Sequence, residues 1–67
     1  MCIATVYISD GNQTKEVMNE VVTADLTNGS IVLVNILGEE MQFEGKIKSI
    51  DFLKSRVVLQ SEKRYNE

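Results

Sequence analysis

The sequence places a single thiol one residue from the chain's α-amino group, and this Met1-Cys2 pair is where donors for a soft metal ion stand together. The α-amine of Met1, the backbone nitrogen of Cys2 and the Cys2 thiolate are spaced to close two fused five-membered chelate rings on one ion. Nitrogen and sulfur donors in a plane suit nickel(II) or copper(II), whose tetragonal geometry follows from their d-electron count. Zinc asks for four closed tetrahedral ligands, which one chain of this composition cannot supply without a partner. Two copies about a two-fold axis could bring both termini together, so that one ion takes nitrogen and sulfur from each. Thiol and amine must first lose their protons, which makes such binding pH-dependent. Removal of Met1 would reduce the two-ring chelate to a simple amine–thiolate pair. The structural alternative is that Cys2 is buried and acts as a small hydrophobe.

Other chemistry falls away on residue types. There is no histidine, so the commonest imidazole ligand and the usual general base are missing, and Ser-His or Cys-His catalysis is excluded. No enzymatic role is expected. The densest acidic group, Glu39-Glu40 with Glu44, reads as a solvated turn, because a hard ion needs several converging oxygens. Gly11, Gly29, Gly38 and Gly45 are scattered singly and form no phosphate cradle. Lys46, Lys48, Lys54 and Arg56 with Phe43 and Phe52 could make a basic, aromatic surface for single-stranded nucleic acid. The alternative puts the lysines on the wet face of a strand and both phenylalanines in the core.

Composition narrows the class. Ten acidic against seven basic residues give a net charge of −3, which disfavours phosphate backbones, whose affinity comes largely from Lys and Arg displacing counterions. Hydrophobic content of 43% with 25% charge is that of a folded chain rather than a disordered one. At 67 residues a single core is marginal, and association with a second copy is a common remedy. One domain is expected, as an oligomer. A lone cysteine forms no internal disulfide, and no secretory signal or membrane-length apolar run is present, so the cytoplasm is the expected compartment.

The elements that must position the terminus read as strands. From Cys2 to Ile8 the residues alternate, with Cys2, Ala4, Val6 and Ile8 on one face. Asp10-Gly11-Asn12 should reverse the chain, with a second strand starting near Gln13 or Thr14. Residues 14–22 are compatible with a short helix, since Val17, Met18, Val21 and Val22 fall at helical spacing; extended chain with a bulge around Asn19 is the favoured reading. Asn28-Gly29 between two apolar runs predicts a type I′ hairpin. Ser30 to Leu37 is the most apolar run and reads as a central strand buried on both faces. Gly38-Glu39-Glu40 should turn, and Met41, Phe43, Gly45 and Ile47 then alternate with polar residues. Gly45 reads as a bulge or corner. A turn over 50–55 leads into a last strand from Arg56 to Ser61. Five short strands and no proline predict an all-β meander curled into a small barrel or sandwich over residues 1–61, with 62–67 a polar tail.

The opening Met1-Cys2-Ile3-Ala4-Thr5-Val6-Tyr7, the Asp10-Gly11 turn, the Asn28-Gly29 hairpin and the close Arg56-Val57-Val58-Leu59 together resemble the CooT family. These are small nickel-binding proteins linked to maturation of nickel-containing carbon monoxide dehydrogenase. The resemblance implies a homodimer of small, SH3-like β-barrel subunits that binds nickel(II) at its amino terminus and delivers it to a nickel enzyme. It carries the family's cysteine ligand onto Cys2 and its terminal nitrogen donors onto Met1 and the Cys2 amide. Glu39-Glu40 also fits the family's pattern, with no role assigned. Proteins of this group have been labelled RNA-binding by analogy of barrel shape, a weak warrant that the net charge opposes.

Three readings therefore stand at the level of sequence. The first is a nickel-binding accessory dimer. The second is a small β-barrel module that binds single-stranded RNA through Lys46, Lys48, Lys54 and Arg56. The third is a protein-interaction module using a sheet edge, with Cys2 buried.

Overall fold

A computed structural model of the chain describes residues 3–61. Its elements are five strands: β1 (Ala4–Asp10), β2 (Gln13–Thr27), β3 (Ser30–Asn35), β4 (Glu40–Asp51) and β5 (Arg56–Ser61). Each strand pairs with the next in sequence, and β5 returns to β1 to close the barrel. With five strands each antiparallel to its predecessor, the last must run in the same direction as the first. The closing β1–β5 seam is accordingly parallel, from Thr5 opposite Arg56 to Ser9 opposite Gln60. Closure removes the exposed edges that an open sheet of this size would present.

The expected bulge resolves the ambiguity over residues 14–22. β2 is a single strand of 15 residues, and its register to β1 slips twice. Val6 faces Met18 while Tyr7 faces Glu16, and Ala4 faces Val21, so β2 carries an extra residue at Val17 and another at Asn19-Glu20. Glu20 adopts a φ of 56°. The slip lets the adjacent Val17 and Met18 both pack against the core, which is why their spacing mimics a helix. Past Val21 the strand turns away from β1 and pairs with β3. β4 behaves alike, leaving β3 after Glu44 and pairing with β5 from Gly45 onward. The two long strands thus bend around the barrel corners, so the strands are not uniformly short.

Inside the barrel Val6, Val21, Ile31, Leu33 and Leu59 are buried, with Ile8, Met41, Phe43, Ile47 and Val57 half-buried against them. Burying each of the five contributes about 1.5–3 kcal/mol, a small total for a chain that must offset its own ordering entropy. Two expectations about β3 change. In a closed barrel no strand is central, and only its inward residues are covered: Ile31, Leu33 and Asn35 are buried while Val32 and Val34 are half-exposed. Ile36 and Leu37 lie beyond the strand, in an exposed turn.

Two glycines have distinct reasons. Asn28 and Gly29 have φ of 42° and 83°, the two positive values that the predicted type I′ hairpin needs. Gly45 is buried where β4 turns the corner. A Cβ there would collide with the Gln60 carbonyl oxygen and lie 2.6 Å from Phe43 Cε2, so only glycine lets β4 approach β5 this closely.

Candidate functional site

Met1 and Cys2 lie outside the described residues, as does the expected tail over 62–67. What the structure describes is the mount from which the terminus emerges. Ala4 stands opposite Val21 of β2, and the Thr5 amide donates to the Ser55 carbonyl at 2.9 Å. One residue further, Val6 is completely buried. The first strand is therefore gripped from both sides at its first two residues and anchored in the core at its third. Beside it Ala4, Ile50, Phe52, Arg56 and Val57 line an apolar groove.

Three segments surround this start. The β2 bulge at Glu20 and Val21 lies on one side. On the far side of β2 is the β3–β4 turn, whose Ile36 amide donates to the Glu20 carbonyl at 2.8 Å. Opposite these, across β1, the β4–β5 turn presents Phe52 and Leu53, 81% and 93% exposed, with Ser55 at a φ of 53°.

The β3–β4 turn owes its shape to a residue that the sequence reading passed over. Asn35, buried at the end of β3, accepts the amides of Leu37 and Glu39 on its Oδ1 at 3.0 and 2.9 Å. Its Nδ2 donates to Glu39 Oε1 at 2.7 Å. Asparagine side chains commonly bond backbone amides a few residues on, and Gly38, at a φ of 84°, completes the reversal. An asparagine ahead of Ile-Leu-Gly was the available signal. Glu39, expected to be merely solvated, is half of this arrangement, and Glu40 has already joined β4.

The basic residues do not converge. Lys46 is exposed on β4 opposite Gln60, Lys48 Nζ donates to Ser9 Oγ at 3.3 Å, and the Arg56 guanidinium lies 5.1 Å from the Tyr7 ring centroid. Lys54 sits in the β4–β5 turn, its amide held by Asp51 Oδ1 at 3.0 Å. Of the two phenylalanines, Phe43 packs against the core as expected of a core residue. Phe52 does not, because it occupies a turn tip beyond the end of the barrel interior. Among the described residues, no three Cys, Asp or Glu side chains form a group able to hold a metal. Nor does any helix there have the length and apolarity to cross a membrane.

The chain is similar to known proteins along nearly its whole length. The family model described as "CO dehydrogenase accessory protein CooT" matches residues 1–60, a span that includes Met1 and Cys2. A crystal structure from Carboxydothermus hydrogenoformans, provisionally assigned as CooT, is 26% identical with a TM-score of 0.86. That likeness covers 92% of this chain and 100% of the other. No curated protein matches.

Proposed function

The chain belongs to the CooT family of carbon monoxide dehydrogenase accessory proteins, and from that premise we propose that it carries nickel(II) as cargo on its amino terminus. The Cys2 thiolate is the principal donor, with nitrogen from the Met1 amine and the Cys2 amide. Two copies share the ion as a homodimer. The protein performs no catalysis and hands the metal to a nickel enzyme in the cytoplasm.

The observation that supports this reading is the grip on β1. Cys2, the chain's single thiol, precedes by two residues a strand that is paired on both sides from Ala4 and Thr5 onward. A flexible leash would lose entropy on ordering around an ion, whereas a donor set close to a fixed strand loses less. Because the thiol and amine must be deprotonated to bind, affinity falls as the pH is lowered.

The test is a nickel titration of wild type and Cys2→Ser, followed by thiolate-to-metal charge-transfer and d–d absorption. Wild type is expected to develop both bands and Cys2→Ser to lose the charge-transfer band and most of its affinity. Identical titrations would overturn the proposal. Extending or acetylating the terminus should weaken binding as well, and intact-mass measurement with and without nickel reads the terminus and the stoichiometry together.

A further inference from the structure

Residues 40–44 of β4 pair with β3, and among the described residues their other edge has no strand beside it. β4 meets β5 only from Gly45 onward, where Gly45 stands opposite Ser61. An unpaired edge is a template for a further strand. In the middle of this stretch Phe43 lines a cleft of about 440 Å³ together with Ile8, Asp10, Gln60 and Ser61. Ile8 and Phe43 are half-buried at the margin of the core. The cleft is therefore walled by β4 on one side and by the ends of β1 and β5 on the other, with apolar side chains inside and a carboxylate at its rim.

Ser61, the last described residue of β5, lines the cleft, and Glu62-Lys63-Arg64-Tyr65-Asn66 follows it in sequence. This segment lies beyond the residues that the family match covers. Continued past Gly45 and Ser61, the antiparallel register sets Lys63 opposite Phe43, Arg64 opposite Gln42 and Tyr65 opposite Met41. Alternation then gives Lys63 and Tyr65 to the face shared by Phe43 and Met41, both of which pack against the core. A lysine opposite Phe43 can lay its stem on the ring and carry its ammonium toward Asp10. Tyr65 falls beside Met41 and diagonal to Phe43. Arg64 goes to the outer face, opposite exposed Gln42 and diagonal to exposed Glu40 and Glu44. One pair is unfavourable, Glu62 opposite Glu44, and Arg64 is near enough to both to offset it. No loop has to close, because the strand is already in register at Ser61.

We propose that residues 62–66 continue β5 along the edge of β4 at residues 40–44, in the register set by Gly45 and Ser61, with Lys63 and Tyr65 covering the cleft. The added strand shields an edge on which another chain could pair and enlarges a small core with the stem of Lys63 and the ring of Tyr65. It is independent of the metal reading, since it concerns the other terminus.

The experiment is nuclear magnetic resonance on the full chain, compared with a chain ending at Ser61 and with Arg64→Glu, each shown to be folded by circular dichroism. In the full chain the Tyr65 ring is expected to show contacts to Met41 and Phe43. The amides of residues 40–44 that do not bond to β3 should exchange at least tenfold faster in the shortened chain, and faster than wild type in Arg64→Glu. Should the shortened chain fail to fold, Arg64→Glu carries the comparison under the same criterion. Absence of the Tyr65 contacts overturns the proposal, as does exchange that is unchanged in the folded variants. A mixture of isotope-labelled and unlabelled protein identifies the occupant. Contacts within one copy support the proposal, and contacts found only between copies overturn it in favour of an exchanged tail.

Discussion

The two ends of this barrel are built from different turns. At one end the chain reverses through Asp10-Gly11-Asn12 and Asn28-Gly29, polar residues whose positive φ values are met by Gly11, Asn28 and Gly29. At the other it reverses through Asn35 to Glu39 and Phe52 to Ser55, turns that expose Leu37, Phe52 and Leu53 to a larger degree than any other large hydrophobic residue described bar none. The first pair needs only local conformational preference. The second pair presents apolar surface that local geometry does not require, and it stands at the end from which the proposed metal-binding terminus emerges. Reversing the chain and presenting a surface are separate tasks, and the molecule assigns them to separate ends.

Substitutions can break or sharpen that division. The largest effect on stability is expected at Gly45, near the polar end, because Gly45→Ala drives a methyl group into the Gln60 carbonyl and the Phe43 ring. A loss of about 3 kcal/mol, in the range for overpacking a core, should appear in denaturant unfolding. An intermediate effect is expected for Asn35→Ala, which removes three hydrogen bonds from the β3–β4 turn. About 1–2 kcal/mol should be lost, read from denaturant unfolding. If Asn35→Ala leaves stability unchanged, the turn does not depend on the Asn35 side chain. The smallest effect on stability belongs to Phe52→Ser, within about 0.5 kcal/mol by thermal unfolding, because Phe52 is exposed at a turn tip. Stability loss there as large as at Gly45 would erase the distinction between the ends.

The same contrast explains what could be read from residues alone. Asn28-Gly29 was legible because its conformational demand is local and few residues meet it. The alternation of Met41, Phe43, Gly45 and Ile47 was legible because an inward face repeats every second residue. Bulges break that repeat: the pairing of Val17 and Met18 on the core side is a product of register slips, so a helix remained a competing reading. Ile36 and Leu37 read as strand because hydrophobicity does not tell a covered residue from one exposed on a turn. Asn35 went unread because its role depends on amides of residues that only the fold places around it. For the proposed site, the donors of Met1-Cys2 are an expectation from residue type, whereas the grip of Ser55 and Val21 on the first strand is a property of barrel closure.

The parallel seam between β1 and β5 has a bearing on how the protein comes into being. It joins β1 to β5, so one of the two neighbours that hold β1 is synthesised only after the other four strands. Contacts between segments so distant in sequence form late and slow folding. The support around Ala4 and Thr5 is therefore incomplete until β5 has joined β1, and the barrel's own closure serves as a checkpoint: only a chain that has formed this seam holds the start of its first strand in place.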